Sequence, residues 1–118
     1  MRYEAIPKLS REEIESAISR DDPEELVYAV LSAALHSDDS GWAEDICVRL
    51  SDHGHFNVRG VAILGFAHIA RIHRTLDEFR VKPIVNSSLD DEHEFVRGHA
   101  HDAVDDLEWF LGWKFDLG

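Results

Sequence analysis

The sequence has a single cysteine, Cys47, so no internal disulfide forms, and its apolar neighbours Ile46 and Val48 mark it as a small core residue. Three prolines and seven glycines leave no room for a long flexible linker. Long apolar runs are missing too: the longest, Val61 to Ala67, is far shorter than the roughly 20 residues that span a bilayer. The opening Met1-Arg2-Tyr3-Glu4-Ala5-Ile6-Pro7 holds no apolar stretch of signal-peptide length. A cytoplasmic protein fits these absences. Positive charge is also scarce: 12 Lys and Arg stand against 24 Asp and Glu, a formal charge of −12. A field of that sign repels phosphate backbones and anionic lipid, so neither nucleic acid nor a membrane surface is an expected direct partner. It attracts basic proteins, and it also keeps a chain soluble.

What is present reads as one helical domain over residues 1–118, with 44% hydrophobic and 31% charged residues. Ser10 and Glu13 have capping-box spacing, and the helix they open carries Ile14 and Ile18 on one face. Asp22-Pro23-Glu24-Glu25 starts a second helix, with proline and acids where the first turn favours them. A third follows Ser40, with Trp42, Ala43, Ile46, Cys47 and Leu50 inward. The fourth, from about Asn57 to Arg74, is apolar nearly all round and belongs at the centre. The fifth, Leu76 to Leu89, contains Pro83, which is expected to kink it or to begin its final part. The sixth runs from Glu92 to Leu111, and the tail from Trp113 is expected to pack back on it. No period-2 strand pattern exceeds a few residues, so the class is all-α.

The chain repeats itself. Val58-Arg59-Gly60-Val61-Ala62 returns 38 residues later as Val96-Arg97-Gly98-His99-Ala100, each copy following an acidic turn. A period near 40 with two helices per unit marks an α-solenoid. In these residues the sequence resembles the HEAT-repeat family, whose repeat has a proline in its first helix, an aspartate in its turn and a Val-Arg pair opening its second helix. Pro83, Asp91, Val96 and Arg97 match that pattern. Asp52, Val58 and Arg59 match it one repeat earlier, while the first helix pair matches in shape alone. The resemblance implies a short right-handed α-solenoid of about three antiparallel helix pairs. Arginines beside neighbouring turns would then build an Asp–Arg ladder from Asp52, Arg59, Asp91 and Arg97, a structural role. Gly60 and Gly98 each cost about 1 kcal/mol of helix propensity, which close approach of a neighbouring helix would explain.

Chemistry-bearing residues are numerous without forming a catalytic pattern. The eight histidines include His99 and His101, which point to opposite sides of a helix, and His68 and His73, which are poorly aligned. No zinc set with cysteines exists, so no metal or cofactor is expected. A HEAT-type hydroxylase family binds iron through several His-Glu pairs; this chain has one, His93-Glu94. No serine lies in a glycine-flanked elbow, and Asp102, Asp105, Asp106 and Glu108 read as a charged helix face.

That face is the expected binding site. Second helices line the concave side of a solenoid, which selects Tyr28, Ser32 and His36 on helix two. The 38-residue register adds Ile63, Ala67, His68 and Arg71 on helix four, and Glu94, His101, Asp102, Asp105, Glu108 and Trp109 lie on helix six. From Asp90 onward nine acids face two bases, a net of −7, with Trp109 as an aromatic anchor among them. A small acidic HEAT-like unit of this kind is similar to immunity proteins of contact-dependent growth inhibition systems. The resemblance implies a non-enzymatic inhibitor that covers the active site of a basic toxin domain, a nuclease above all. The exposed ends of a single solenoid unit leave both a monomer and a homodimer open. A HEAT adaptor or assembly factor, and a HEAT-type enzyme or lyase, are the alternatives.

Overall fold

The structure, a computed structural model, describes residues 6–115. They form α1 (Arg11–Arg20), α2 (Pro23–His36), α3 (Ser40–Leu50), α4 (Phe56–His73), α5 (Glu78–Ser88) and α6 (Glu94–Leu111), with no strand among the described residues. The fold is all-helical and solenoid-like, and its long dimension is 40 Å.

Local chemistry sets the boundaries. The Ser10–Glu13 capping box is formed in both directions, and Asp21 closes α1 in the left-handed region at φ 57°. Asp39 and Asp77 cap α3 and α5. The starts of α4 and α6 use imidazoles: His55 Nδ1 accepts from Asn57 N–H and His93 Nδ1 from Phe95 N–H, each at 3.1 Å, while α2 opens on Pro23 with no side-chain cap from Asp22. Because His93 caps from extended backbone, α6 begins at Glu94, later than the sequence indicated. Likewise α5 begins after its cap, Asp77, and leaves Leu76 outside. Pro83 neither starts nor ends a helix: α5 runs through it. The carbonyl that loses its donor belongs to Phe79, an almost fully exposed residue that water can serve.

The second helix of each pair, α2, α4 and α6, pack side by side, and α4 sits between the other two with α3 and α5 also against it. Val58, Ala62, Ile63, Phe66, Ile69 and Ala70 of α4 are wholly buried. Two glycines allow close approach. A Cβ at Gly60 would lie 2.5 Å from Phe95 Cε2 on α6, and one at Gly65 would lie 2.6 Å from Cys47 Sγ on α3. Gly98 has no such reason, since nothing lies within 4 Å of its would-be Cβ. It repeats Gly60, but no helix among the described residues packs where α6 packs on α4.

The expected ladder has one rung between repeats two and three. Arg59 donates from Nε and Nη2 to the two Asp91 carboxylate oxygens, both at 3.0 Å, and its Nη1 reaches the His53 and Gly54 carbonyls. Arg97 donates to the Asp91 carbonyl and pairs with no carboxylate among the described residues. Asp52 is exposed and makes no ion pair among the described residues. Its neighbour His53 instead bonds Asp21 of the first turn at 2.7 Å. On the other layer, the buried Glu44 carboxylate accepts from Asp77 N–H at 2.8 Å and faces Arg80, tying α3 to α5.

Candidate functional site

The exposed face of α6 collects six of the thirteen binding-face residues singled out in the sequence. Helical spacing places Glu94, His101, Asp102, Asp105, Glu108 and Trp109 outward while Val96, Ala100, Ala103, Val104 and Leu107 fill the core. Trp109 is 82% exposed. The tryptophan that packs against the core is Trp113, turned back by Gly112 at φ 69°. Glu108 accepts from Phe115 N–H at 3.2 Å, which holds the tail beside the stripe.

Charge is crowded here. Asp106, half-buried beneath the stripe, has its carboxyl raised above the ordinary aspartate range, first by burial and then by Asp102 and Asp105, with Arg71 opposing. A face of this kind offers carboxylates and an indole to a cationic partner.

Apart from Arg71, which acts on the Asp106 carboxyl, the other expected contacts are not brought to that face. Tyr28 is 45% exposed on α2, over a shallow cleft lined by Asp22, Glu24, His55 and Asn57 and by no residue of α6. His36 and Ser32 are taken by the chain itself: the Ile6 carbonyl lies 2.7 Å from His36 Nε2, and Ser32 Oγ accepts from Leu9 N–H at 2.9 Å. Residues 6–9 thus lie across α2 at Ser32 and His36, while Tyr28 stays open; Met1 to Ala5 lie outside the described residues.

On α4, Ile63, Ala67 and His68 are buried and cannot meet a partner, leaving Arg71 exposed. The physical reason is position. The 38-residue register equates Ile63 and Ala67 with His101 and Asp105, but α4 is packed between α2 and α6, whereas no described helix lies over the outer side of α6. His68 is held near Arg71, whose Nη2 lies 3.2 Å from its Nδ1. Burial above all, then Arg71 and His99, pushes its pKa down to about 4, so it is neutral at pH 7.

Burial similarly pushes the Cys47 thiol up, with Glu44 adding to the effect. That is the behaviour of a core cysteine and not of a nucleophile. No three His, Cys, Asp or Glu side chains gather as metal ligands among the described residues. No described helix is long and apolar enough to cross a membrane.

Sequence reasoning missed Phe79, which is 94% exposed on α5. The signal was present: α5 buries Val81, Val85 and Ser88, and position 79 falls on the side away from them.

No protein-family model matches the chain, and no curated protein sequence matches it. The fold itself is shared. One chain of a crystal structure described as a CDI complex from Cupriavidus taiwanensis LMG 19424 superposes with a TM-score of 0.80 at 28% identity, over 93% of this chain and 97% of that one. The whole helical stack, and not one helix pair, is therefore similar to a component of a CDI complex.

Proposed function

We propose that this chain is an immunity protein of a contact-dependent growth inhibition system, a non-enzymatic cytoplasmic inhibitor that binds its cognate toxin. The structural likeness to a chain of a CDI complex, nearly end to end in both chains, carries this reading. The finer part is the mode of action. The α6 stripe, Glu94, His101, Asp102, Asp105, Glu108 and Trp109, lies over a basic toxin domain and occupies charges that otherwise hold phosphate, which favours a nuclease toxin. Lys, Arg and His that bind a scissile phosphate present the complementary sign to Asp102, Asp105 and Glu108. Trp109 supplies the desolvated anchor and the carboxylates its charged rim.

The test is inhibition. The toxin is sought as the basic protein that this chain captures from its native lysate at low salt and releases at high salt. Its nucleic-acid cleavage is measured with increasing amounts of this chain, and cleavage is expected to stop at one equivalent. Undiminished cleavage at a large excess, with no complex detected, contradicts the reading.

A further inference from the structure

The outward face of α5 is apolar and plays no part in the α6 stripe. Phe79 and Pro83, one turn apart, line an open hollow together with Asp77, Glu78, Lys82 and Asn86. An almost fully exposed phenylalanine beside a proline is a costly surface to leave in water, and such patches mark interfaces.

Two charge relationships point to the occupant. The first is local balance. The charged residues lining the hollow are Asp77, Glu78 and Lys82, a net of −1, since Arg80 pairs with Glu44 and Asp45 of α3, whereas α6 carries five acids and one base, a net of −4. In a chain of net charge −12, another acidic body is thus repelled less at the α5 face than at α6. The second is self-complementarity. Glu78 and Lys82 lie one turn apart on the rim of the hollow and pair with each other at 3.4 Å. Rotating a second α5 about a two-fold axis, antiparallel to the first, sets Glu78 of each copy against Lys82 of the other. The same operation sets Phe79 against Pro83 and buries both.

We infer that a second copy of this chain occupies the α5 face, forming an isologous dimer centred on Phe79 and Pro83 with Glu78–Lys82 pairs exchanged across the axis. One helix face buries less than the roughly 1,200 Å² of a standard stable interface, so the dimer is weak and forms at high local concentration. It uses no residue of the α6 stripe and stands independently of the toxin-binding reading.

Sedimentation equilibrium on the full chain, from about 10 µM to about 1 mM, tests it across the range in which weak interfaces associate. The weight-average mass is expected to climb from 13.5 kDa towards twice that value. Added salt is expected to strengthen association, because it screens the repulsion between two acidic copies while the apolar contact persists. Phe79→Glu is expected to remain monomeric throughout, with unchanged helical circular dichroism because the side chain is exposed. Lys82→Glu alone is expected to weaken association at least tenfold, and Glu78→Lys with Lys82→Glu to restore it. A wild-type chain that stays at 13.5 kDa at every concentration and salt overturns the proposal. So does a Phe79→Glu chain that associates as strongly as wild type, or a charge-exchanged double variant that stays folded and monomeric.

Discussion

Arg59 and Asp91 join the second repeat to the third through two parallel N–H···O bonds of 3.0 Å, with both side chains more than four-fifths shielded from solvent. The fork geometry holds the turn before α4 against the turn before α6, because the same guanidinium also donates to the His53 and Gly54 carbonyls. Removing either partner leaves the other shielded and uncompensated. Arg59→Ala and Asp91→Ala are each expected to lower stability by about 2–4 kcal/mol. The double variant is expected to fall well short of the sum, and urea unfolding of the four chains measures the coupling. Additive losses would show that the rung carries no interaction energy.

The glycine pair separates geometry from composition. Gly98→Ala adds a methyl group to open space on a helix and is expected to stabilise by about 0.5–1 kcal/mol, raising Tm by a few degrees. Gly60→Ala drives a methyl into the Phe95 ring, and Gly65→Ala drives one into Cys47. Each is expected to lose about 1–3 kcal/mol despite the better helix propensity. Thermal melts of the three variants decide this, and a common sign would contradict the packing described.

Acid sensitivity is expected to centre on His68. Its folded pKa of about 4 lies below the ordinary 6.5, so the unfolded chain binds the proton more readily. Its share of stability is complete above pH 6.5 and is lost as pH falls towards 4, up to about 3 kcal/mol. His99, also lowered by burial, adds to the loss with the same sign. Asp91, held low first by Arg59, extends it to more acidic pH, while the raised Asp106 acts in the opposite direction. Urea unfolding of wild type and His68→Gln between pH 7 and pH 4 is expected to show a shallower decline in the variant. Equal slopes would remove His68 from the account.

Trp109 is expected to matter for binding and not for folding. At 82% exposure it contributes little to the core, so Trp109→Ala is expected to shift stability by less than about 0.5 kcal/mol. The same change is expected to weaken the toxin complex by about 2 kcal/mol or more, roughly thirtyfold. A large stability loss with binding intact would reverse that assignment.

Much of the fold was legible because the helix signals are local. The Ser10–Glu13 box, Pro23 at a helix start and the all-round apolar pattern of α4 each act within a turn or two of sequence. The Val-Arg-Gly repeat indicated that turns are stacked, though not that repeat one would answer His53 with Asp21. The site was harder to read, because a 38-residue register treats equivalent positions as equally exposed. His68 is buried on a central helix while Asp106, its counterpart, is only half-covered on a terminal one. His36 had the right spacing and was lost to residues 6–9, a contact between segments 30 residues apart that no local pattern records. Phe79 was legible in α5 periodicity, but its exposure runs against the usual placement of phenylalanine.

The central claim is that the carboxylates of α6 grip a basic toxin domain. Isothermal titration of that domain with wild type and with Asp102→Asn/Asp105→Asn/Glu108→Gln, at about 50 and about 300 mM salt, tests it most directly. The expected result is a wild-type complex that weakens markedly with salt, and a neutralised variant bound at least tenfold more weakly at low salt with a flatter salt dependence. Equal affinity and equal salt dependence for the two chains would place the toxin on some other surface and contradict the account.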